Sequence, residues 1–182
     1  MKIARCMLLA MVSLTALAAT PAWSQPPAEG RVSAPPADAA AVAVHKGMTW
    51  KWINKNATTG TVDVGCVNCD PHQGDTSCRT ALPILCIKKS GPGFPLPVPV
   101  GVNNSDQYHR WTGGIIATTA PTVPPSTLTA ADALCAQDFG PGWRVAEFHD
   151  GWGWHFQAYG GVGNQNQNFW VHINDQPGAL CW

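Results

Sequence analysis

Residues 142–156, GWRVAEFHDGWGWHF, concentrate side chains that could act on a ligand or hold one. They include three of the nine tryptophans and two of the six histidines. Glu147, His149 and Asp150 are candidate catalytic residues, because a carboxylate beside an imidazole can serve as general acid or general base. The sequence contains neither H-E-x-x-H nor G-x-S-x-G, the motifs of zinc proteases and serine hydrolases. A secreted hydrolase that uses these three residues is the enzymatic alternative.

The same stretch, with the residues after it, also suits a binding surface without catalysis. Aromatic faces stack on the apolar faces of sugars, and side-chain amides donate to and accept from hydroxyl groups. The predicted ligand-binding residues are Trp152, Trp154, Tyr159, Asn164, Asn166 and Trp170. We therefore expect a non-catalytic recognition module, with a glycan or another envelope component as its first candidate ligand. A structural envelope protein whose tryptophans all lie in the core is the third alternative.

Residues 1–24 have the pattern of a secretory signal peptide. Lys2 and Arg5 precede an apolar run, and small residues at Ala22 and Ser24 fit cleavage after Ser24. The apolar run is too short to span a bilayer and nothing later would stop transfer, so no transmembrane segment is expected. The sequence therefore predicts a secreted or periplasmic protein.

The composition of the remaining chain predicts one folded domain on a tether. Residues 25–44 are rich in proline and alanine and lack aromatic residues, so they bury too little surface to offset the entropy of ordering. Residues 45–182 are expected to form a single domain. Without the leader, nine Lys and Arg face eleven Asp and Glu, a formal charge of −2. No basic cluster exceeds Lys88-Lys89, so nucleic acid is not an expected partner.

The cysteines predict how this domain is cross-linked. Six remain in the predicted mature chain: Cys66, Cys69, Cys78, Cys86, Cys135 and Cys181. Four thiolates could bind zinc, but an even number of cysteines in an exported chain favours disulfides, so no metal ion and no cofactor are expected. Of fifteen possible connectivities, the simplest places two disulfides within residues 66–86 and joins Cys135 to Cys181.

Short strands are predicted to position the candidate residues. Apolar and polar residues alternate over residues 48–53, 61–67 and 168–175. Apolar runs at 81–89 and 110–120 predict further strands, the first beginning after Pro83 and the second interrupted by glycines.

One helix is predicted over residues 130–139. Thr129 and Asp132 form a capping-box pattern, apolar residues recur at helical spacing, and Gly140 followed by Pro141 ends the pattern. The alternating prolines of residues 90–101 predict a stiff extended strap with Phe94, Leu96, Val98 and Val100 on the domain body. The expected fold is a small disulfide-rich α+β domain with short antiparallel strands and long loops rich in proline and glycine.

The stretch TAADALCAQDFGPGWRVAE, residues 129–147, resembles the helix-to-loop passage of C-type-lectin-like and formylglycine-generating-enzyme-like domains. The late strand NFWVHIND and the terminal Cys181-Trp182 extend the resemblance over about residues 129–182. It implies a lectin-like recognition domain. The calcium-dependent sugar site of that family does not carry over, because Ile173-Asn174-Asp175 precedes Gln176-Pro177-Gly178, the reverse of the family order.

Overall fold

The computed structural model describes residues 44–102, 104 and 110–182. The predicted leader, residues 1–24, and the predicted tether up to residue 43 lie outside the described residues. Within the described part, short strands accompany one α-helix, and three disulfides cross-link the chain, two of them between distant segments. The predicted small disulfide-rich α+β domain is therefore confirmed.

The described chain contains nine strands in two sheets. They are β1 (Lys46–Gly47), β2 (Thr49–Asn56), β3 (Thr61–Gly65), β4 (Thr76–Ser77), β5 (Leu85–Lys88), β6 (Arg110–Thr118), β7 (Arg144–Val145), β8 (His155–Gly160) and β9 (Asn168–Trp170). β1 pairs with β4, and the other seven form one sheet in the order β7-β5-β6-β8-β3-β2-β9. β6 and β8 are parallel, unlike the other pairs and unlike the antiparallel expectation. A parallel pair needs a long crossover, which residues 119–154 provide.

The predicted strands at residues 48–53 and 61–67 form the β2–β3 hairpin. Met48 and Trp50 are fully buried, as the alternation predicts, because this side of β2 faces the core. All five residues of β3 are buried, including Asp63. Both faces of β3 are therefore covered, which alternation alone does not indicate.

The predicted helix is α1, Leu128–Phe139, and it begins two residues earlier than expected. Its N-cap is Thr127 rather than Thr129, because the Thr127 side chain accepts from a backbone N–H in the first turn. Asp132 accepts from a backbone N–H of β7 at 2.8 Å and so joins the helix to the sheet. Gly140 ends the helix with φ 99°, as predicted. No helix in the described ranges is long and apolar enough to cross a membrane.

The late strand is shorter than predicted. Residues 168–175 pair as β9 only as far as Trp170, and a single bridge then joins His172 to Glu147. On one face the alternation holds, since Phe169, Val171 and Ile173 lie in the larger apolar cluster, but Trp170 on the other face is buried as well. This bridge brings the C-terminal segment beside residues 142–156.

The proline-rich strap, residues 90–101, lies against β6. The Leu96 N–H donates to the Gly113 carbonyl at 2.8 Å, and Trp111 Nε1 donates to the Leu96 carbonyl at 3.0 Å. Phe94 and Leu96 are half-buried, but Val98 and Val100, also predicted to lie on the body, are exposed. A polyproline helix has three residues per turn, so alternate residues cannot all face the same side.

The core lies on both faces of the main sheet. On one face, Leu85 and Ile87 of β5 pack in a large cluster with Trp50 and Phe156. On the other face, alternate residues of the same segment, including Cys86, pack in a smaller cluster with α1. The main sheet therefore lies between α1 on one face and the larger apolar cluster on the other.

The three disulfides are Cys66–Cys69, Cys78–Cys181 and Cys86–Cys135. The expected Cys135–Cys181 pairing is wrong, and only one disulfide lies within residues 66–86. The sheet explains both differences, because β5 carries Cys86 beneath the buried face of α1 where Cys135 lies. Cys78 lies where the C-terminal segment returns, with its sulfur 3.8 Å from the Leu180 carbonyl.

Candidate ligand-binding surface

Residues 151–154 form a turn that presents two tryptophans at the surface, and we call it the tryptophan turn. It joins a 3₁₀ helix, Phe148–Asp150, to β8. The turn begins at Gly151, where a Cβ would lie 2.0 Å from the Cβ of Phe156. Only glycine permits this close approach, and it lets the chain reverse directly above the core.

The two rings of the tryptophan turn are supported on one side only. Trp152 is 67% exposed and Trp154 is 38% exposed, the largest exposures among the tryptophans of the described chain. The Arg110 guanidinium lies 3.9 Å from the Trp152 ring centroid, and the Trp154 ring meets Phe148 edge-on at 5.6 Å. Each ring is thus held in place and keeps aromatic surface open to solvent.

The backbone at Trp152 adopts an unusual conformation. Its φ is 99°, in a region that a bulky residue occupies only at a cost of about 1–3 kcal/mol. The Trp152 N–H donates to the His149 carbonyl at 3.2 Å, which holds the chain in this conformation. Such strain at an exposed aromatic residue is typical of a functional position.

A row of polar side chains lies beside the tryptophan turn. Glu147 Oε1 is 2.9 Å from His149 Nδ1, and Asp175 Oδ2 is 3.8 Å from His149 Nε2. The Phe148 ring contacts the rings of both His149 and Trp154, so it supports the row and the turn together. We call Glu147, His149 and Asp175 the acid–histidine row.

The acid–histidine row offers hydrogen-bonding groups to solvent. The side chains of His149 and Asp175 are 42% and 58% exposed. Glu147 is less exposed and accepts from the backbone N–H groups of His149 at 2.7 Å and Asn174 at 3.2 Å. The His149 ring directs Nδ1 at Glu147, and Nε2 can form a hydrogen bond with a ligand hydroxyl.

Asp150, the third candidate catalytic residue, lies in an ion-pair network. Arg144 donates to both carboxylate oxygens at 2.5 and 3.0 Å, and Lys89 Nζ lies 3.3 Å from Oδ1. The Glu147 backbone N–H donates to Oδ2 at 2.8 Å. Burial opposes the charge on Arg144, but the hydrogen bond and charge of Asp150 raise the pKa of this guanidinium overall. The Asp150 side chain is only 4% exposed. Contrary to the prediction, it therefore does not face a substrate.

The other predicted ligand-binding residues lie in different surroundings. Tyr159 on β8 packs edge-on against Trp111 of β6, with ring centroids 5.1 Å apart. Asn164 and Asn166 line a separate open cleft beside β4. Trp170 is 1% exposed and belongs to the core under α1. Contrary to the prediction, its ring therefore does not face a ligand. Alternation failed here because β9 is covered on both faces.

Two residues of this surface were not predicted from the sequence. Arg110 reaches Trp152 because β6 pairs in parallel with β8, which places Arg110 opposite Phe156. Asp175 reaches His149 because the bridge between residues 147 and 172 aligns two distant segments. Neither residue is close in sequence to its partner. The one sequence feature that could have pointed to Asp175 was its position at the end of a predicted strand, residues 168–175.

His172 links the acid–histidine row to the C terminus. Its Nδ1 accepts a hydrogen bond from Trp182 Nε1 at 3.0 Å. Burial lowers the pKa of His172, although the charges of Glu147 and Asp132 oppose this effect. A protonated ring has no free acceptor at Nδ1, so protonation also breaks the bond to Trp182.

We therefore expect the free energy of unfolding to decrease as pH falls below about 6.5. The unfolded chain protonates residue 172 at the ordinary histidine pKa, whereas the native state does so only at lower pH. The stabilisation that neutral His172 gives the native state is complete above the pKa of this histidine in the unfolded chain. It is lost as pH falls through the lower pKa of His172 in the folded protein. In thermal unfolding, the melting temperature of His172→Gln should change less with pH than that of the parent protein, because the glutamine amide can accept from Trp182 without titrating. Equal slopes in both proteins would contradict this role.

The described residues contain no group of three or more His, Cys, Asp or Glu placed to hold a metal ion. Comparison of the chain with protein-family models, with curated proteins and with solved structures finds no match. The function is therefore inferred from the site itself.

Proposed function

We propose that this protein is a secreted or periplasmic recognition module that binds glycan through the tryptophan turn. The observation that carries the proposal is the exposure of Trp152 and Trp154 beside the acid–histidine row. Large aromatic rings are usually buried in a domain of this size, as Trp50 and Trp170 are here. Two rings held at the surface by Arg110 and Phe148 are better suited to binding than to packing.

The chemistry of the surface favours a sugar over an apolar ligand. A tryptophan face stacks on the C–H groups of a sugar ring, while the neighbouring carboxylates and imidazole accept from its hydroxyl groups. Holding the rings in place reduces the entropy lost on binding. The three disulfides suit an oxidising compartment, where envelope and extracellular glycans occur. The lectin-like resemblance of residues 129–182 points the same way and stays a prediction.

A glycan array with purified protein tests the proposal, and Trp154→Ala is the decisive variant. We expect at least one oligosaccharide to bind, and the variant to lose about tenfold or more in affinity, because the stacking ring is gone. Trp143→Ala is the matched control, since it removes the same side chain from a half-buried site against Phe139 of α1. Silence across the array, or equal affinities for Trp154→Ala and Trp143→Ala at comparable melting temperatures, would refute glycan recognition at this turn.

A secreted hydrolase is the second candidate, and the contact between Glu147 and His149 favours it. A carboxylate that orients an exposed imidazole is a common arrangement for a general base. Incubation of each array ligand with the protein, followed by mass spectrometry, separates the two functions. Turnover that disappears in His149→Ala would favour the hydrolase, and an unchanged bound ligand would favour recognition.

A further inference from the structure

The open cleft beside β4 lies between residues 76–82 and the loop of residues 164–168. Its volume is about 490 Å³, within the roughly 300–1,000 Å³ typical of small-molecule sites. Two of the predicted ligand-binding residues, Asn164 and Asn166, line this cleft. The lining consists of amide and hydroxyl side chains and one leucine, and none of its residues carries a charge.

The first wall of the cleft is residues 76–82, and it is fastened to the rest of the domain at two points. A disulfide joins Cys78 to Cys181. Leu82 exchanges two backbone hydrogen bonds with Thr122, with N–O distances of 3.1 and 3.0 Å. This wall is therefore held in place before a ligand arrives, which reduces the entropy lost on binding.

The second wall is the loop of residues 164–168, which a tight turn and a strand pair position. The Gln167 N–H donates to the Asn164 carbonyl at 3.1 Å, and the Asn166 N–H donates to the Asn164 side-chain oxygen at 3.1 Å. Asn168 begins β9, which pairs with β2. The loop is thus anchored to the main sheet at its C-terminal end.

The hydrogen bonds that the lining already makes determine which groups it offers to a ligand. Asn168 Nδ2 donates to Thr49 Oγ1 at 2.9 Å, which leaves the side-chain oxygen of Asn168 as an acceptor. Thr76 Oγ1 donates to Asp75 Oδ1 at 2.6 Å, so this hydroxyl also offers an acceptor. The side-chain oxygen of Asn164 already accepts a backbone N–H of the loop, so its NH₂ group is a donor.

Asp75 adjoins the cleft through Thr76 but is not part of the lining. Its carboxylate accepts from the Thr49 N–H at 2.9 Å and from the Thr49 hydroxyl at 2.5 Å. It also accepts from the Thr76 hydroxyl and, at 3.3 Å, from the Asp70 N–H. The Asp75 carboxylate therefore already has its hydrogen-bond partners within the protein, and neutral amides and hydroxyls give the cleft its polar character.

From this arrangement we infer that the cleft binds one neutral sugar residue. Each sugar hydroxyl both donates and accepts, so it can pair with the acceptor of Asn168 and with the donor of Asn164. Leu82 adds an apolar part, against which the C–H groups of a sugar ring can pack. A wholly apolar ligand would leave the amides without partners, which costs free energy. An ionic ligand would find no opposite charge among the lining residues.

The cleft lies apart from the tryptophan turn, and the inference does not rest on the proposed function. Successive partners across β9, β2, β3 and β8 are Asn168, Lys51, Gly65 and His155, the residue that follows the turn. Neighbouring strands lie about 4.7–4.9 Å apart, so three intervals of about 14 Å in total separate Asn168 from His155. A single sugar ring is smaller than this separation. Trp154→Ala should therefore leave binding in the cleft unchanged.

Titration of ¹⁵N-labelled protein with neutral monosaccharides tests this inference. The probes are glucose, galactose, mannose and N-acetylglucosamine, and glucuronate is the charged comparison. We expect at least one neutral sugar to shift the backbone amide signals of residues 76–82 and 164–168 in a saturable way, and to bind more tightly than glucuronate.

Two variants of the lining and one control locate the binding. Asn164→Ala and Asn168→Ala should each weaken it about tenfold, which corresponds to one or two lost hydrogen bonds. Asn54→Ala, which removes an exposed amide of β2 outside the cleft, is the matched control. The amide signals outside the cleft report whether each variant remains folded.

The possible outcomes separate the cleft from the tryptophan turn. Saturable shifts that weaken in Asn164→Ala and Asn168→Ala, but persist in Asn54→Ala and Trp154→Ala, would support the cleft. The inference is overturned if none of the four sugars shifts these signals, or if glucuronate binds as tightly as the best neutral sugar. It is also overturned if binding survives unchanged in the double variant Asn164→Ala/Asn168→Ala, or if shifts occur only at residues 151–154. In the last case the proposed recognition at the turn would stand alone.

Discussion

Removal of the Cys78–Cys181 disulfide is expected to lower the free energy of unfolding by about 4–5 kcal/mol. This disulfide spans a sequence separation of 103 residues, the longest of the three. In the chain-entropy description, a cross-link stabilises mainly by restricting the unfolded chain, and the effect grows with loop length. Small domains have a total stability of about 5–15 kcal/mol, so the double variant Cys78→Ala/Cys181→Ala should lose a large part of it.

The Cys66–Cys69 disulfide provides the matched control for this prediction. It spans three residues, so its removal through Cys66→Ala/Cys69→Ala should cost only about 1.5 kcal/mol. Both pairs remove the same atoms, and only the length of the closed loop differs. Urea unfolding of the oxidised proteins measures the difference directly. Equal losses in the two double variants would show that loop length does not determine the stability of this domain.

Replacement of Asp150 is expected to lower the free energy of unfolding, because its carboxylate is buried within a network of ion pairs and hydrogen bonds. The carboxylate receives two bonds from Arg144, one from Lys89 and one from the Glu147 N–H. Breaking a buried ion pair costs about 3–5 kcal/mol, because the partner charges lose their counter-ion. Arg144 and Lys89 are 43% and 31% exposed, so solvent should reduce the loss in Asp150→Asn to about 2–3 kcal/mol.

Asp175→Asn is the control for the Asp150 prediction. Its side chain is 58% exposed and its contact with His149 is long, so its loss should change the stability by less than about 0.5 kcal/mol. Chemical unfolding of the two variants beside the parent chain compares a buried carboxylate with an exposed one. If Asp150→Asn is as stable as the parent protein but loses glycan binding or turnover, Asp150 has a functional role and the structural prediction is wrong.

Much of the fold could be predicted from local patterns. Alternation identified β2 and β3, and the glycine and proline that follow Phe139 identified the end of α1. The start of α1 was misjudged because Thr127 and Thr129 are both good capping residues. Only the backbone path decided between them. The apolar residues of β9 were identified for the same reason as those of β2, although its length was not.

The candidate site was predicted only in part. The exposed pair Trp152 and Trp154 was assigned to a binding surface because aromatic and amide side chains are concentrated in this part of the sequence. Trp170 has the same side chain and a similar alternating context, yet it is buried beneath α1. Nothing in the neighbouring sequence distinguishes the exposed rings from the buried one, because the covering element lies far away in the chain.

The sequence by itself determined α1 and the strands β2, β3, β5, β6 and β9, the cysteine count and the concentration of polar and aromatic groups in residues 142–156. These are local properties, since strand alternation and helix termination depend on residues a few positions apart. Only the tertiary structure decided the pairing of Cys86 with Cys135 and the ion pairs that Asp150 forms with Arg144 and Lys89. Each depends on which distant segments become neighbours. That choice is made by packing the whole core at once, because no local pattern records the partner of a side chain.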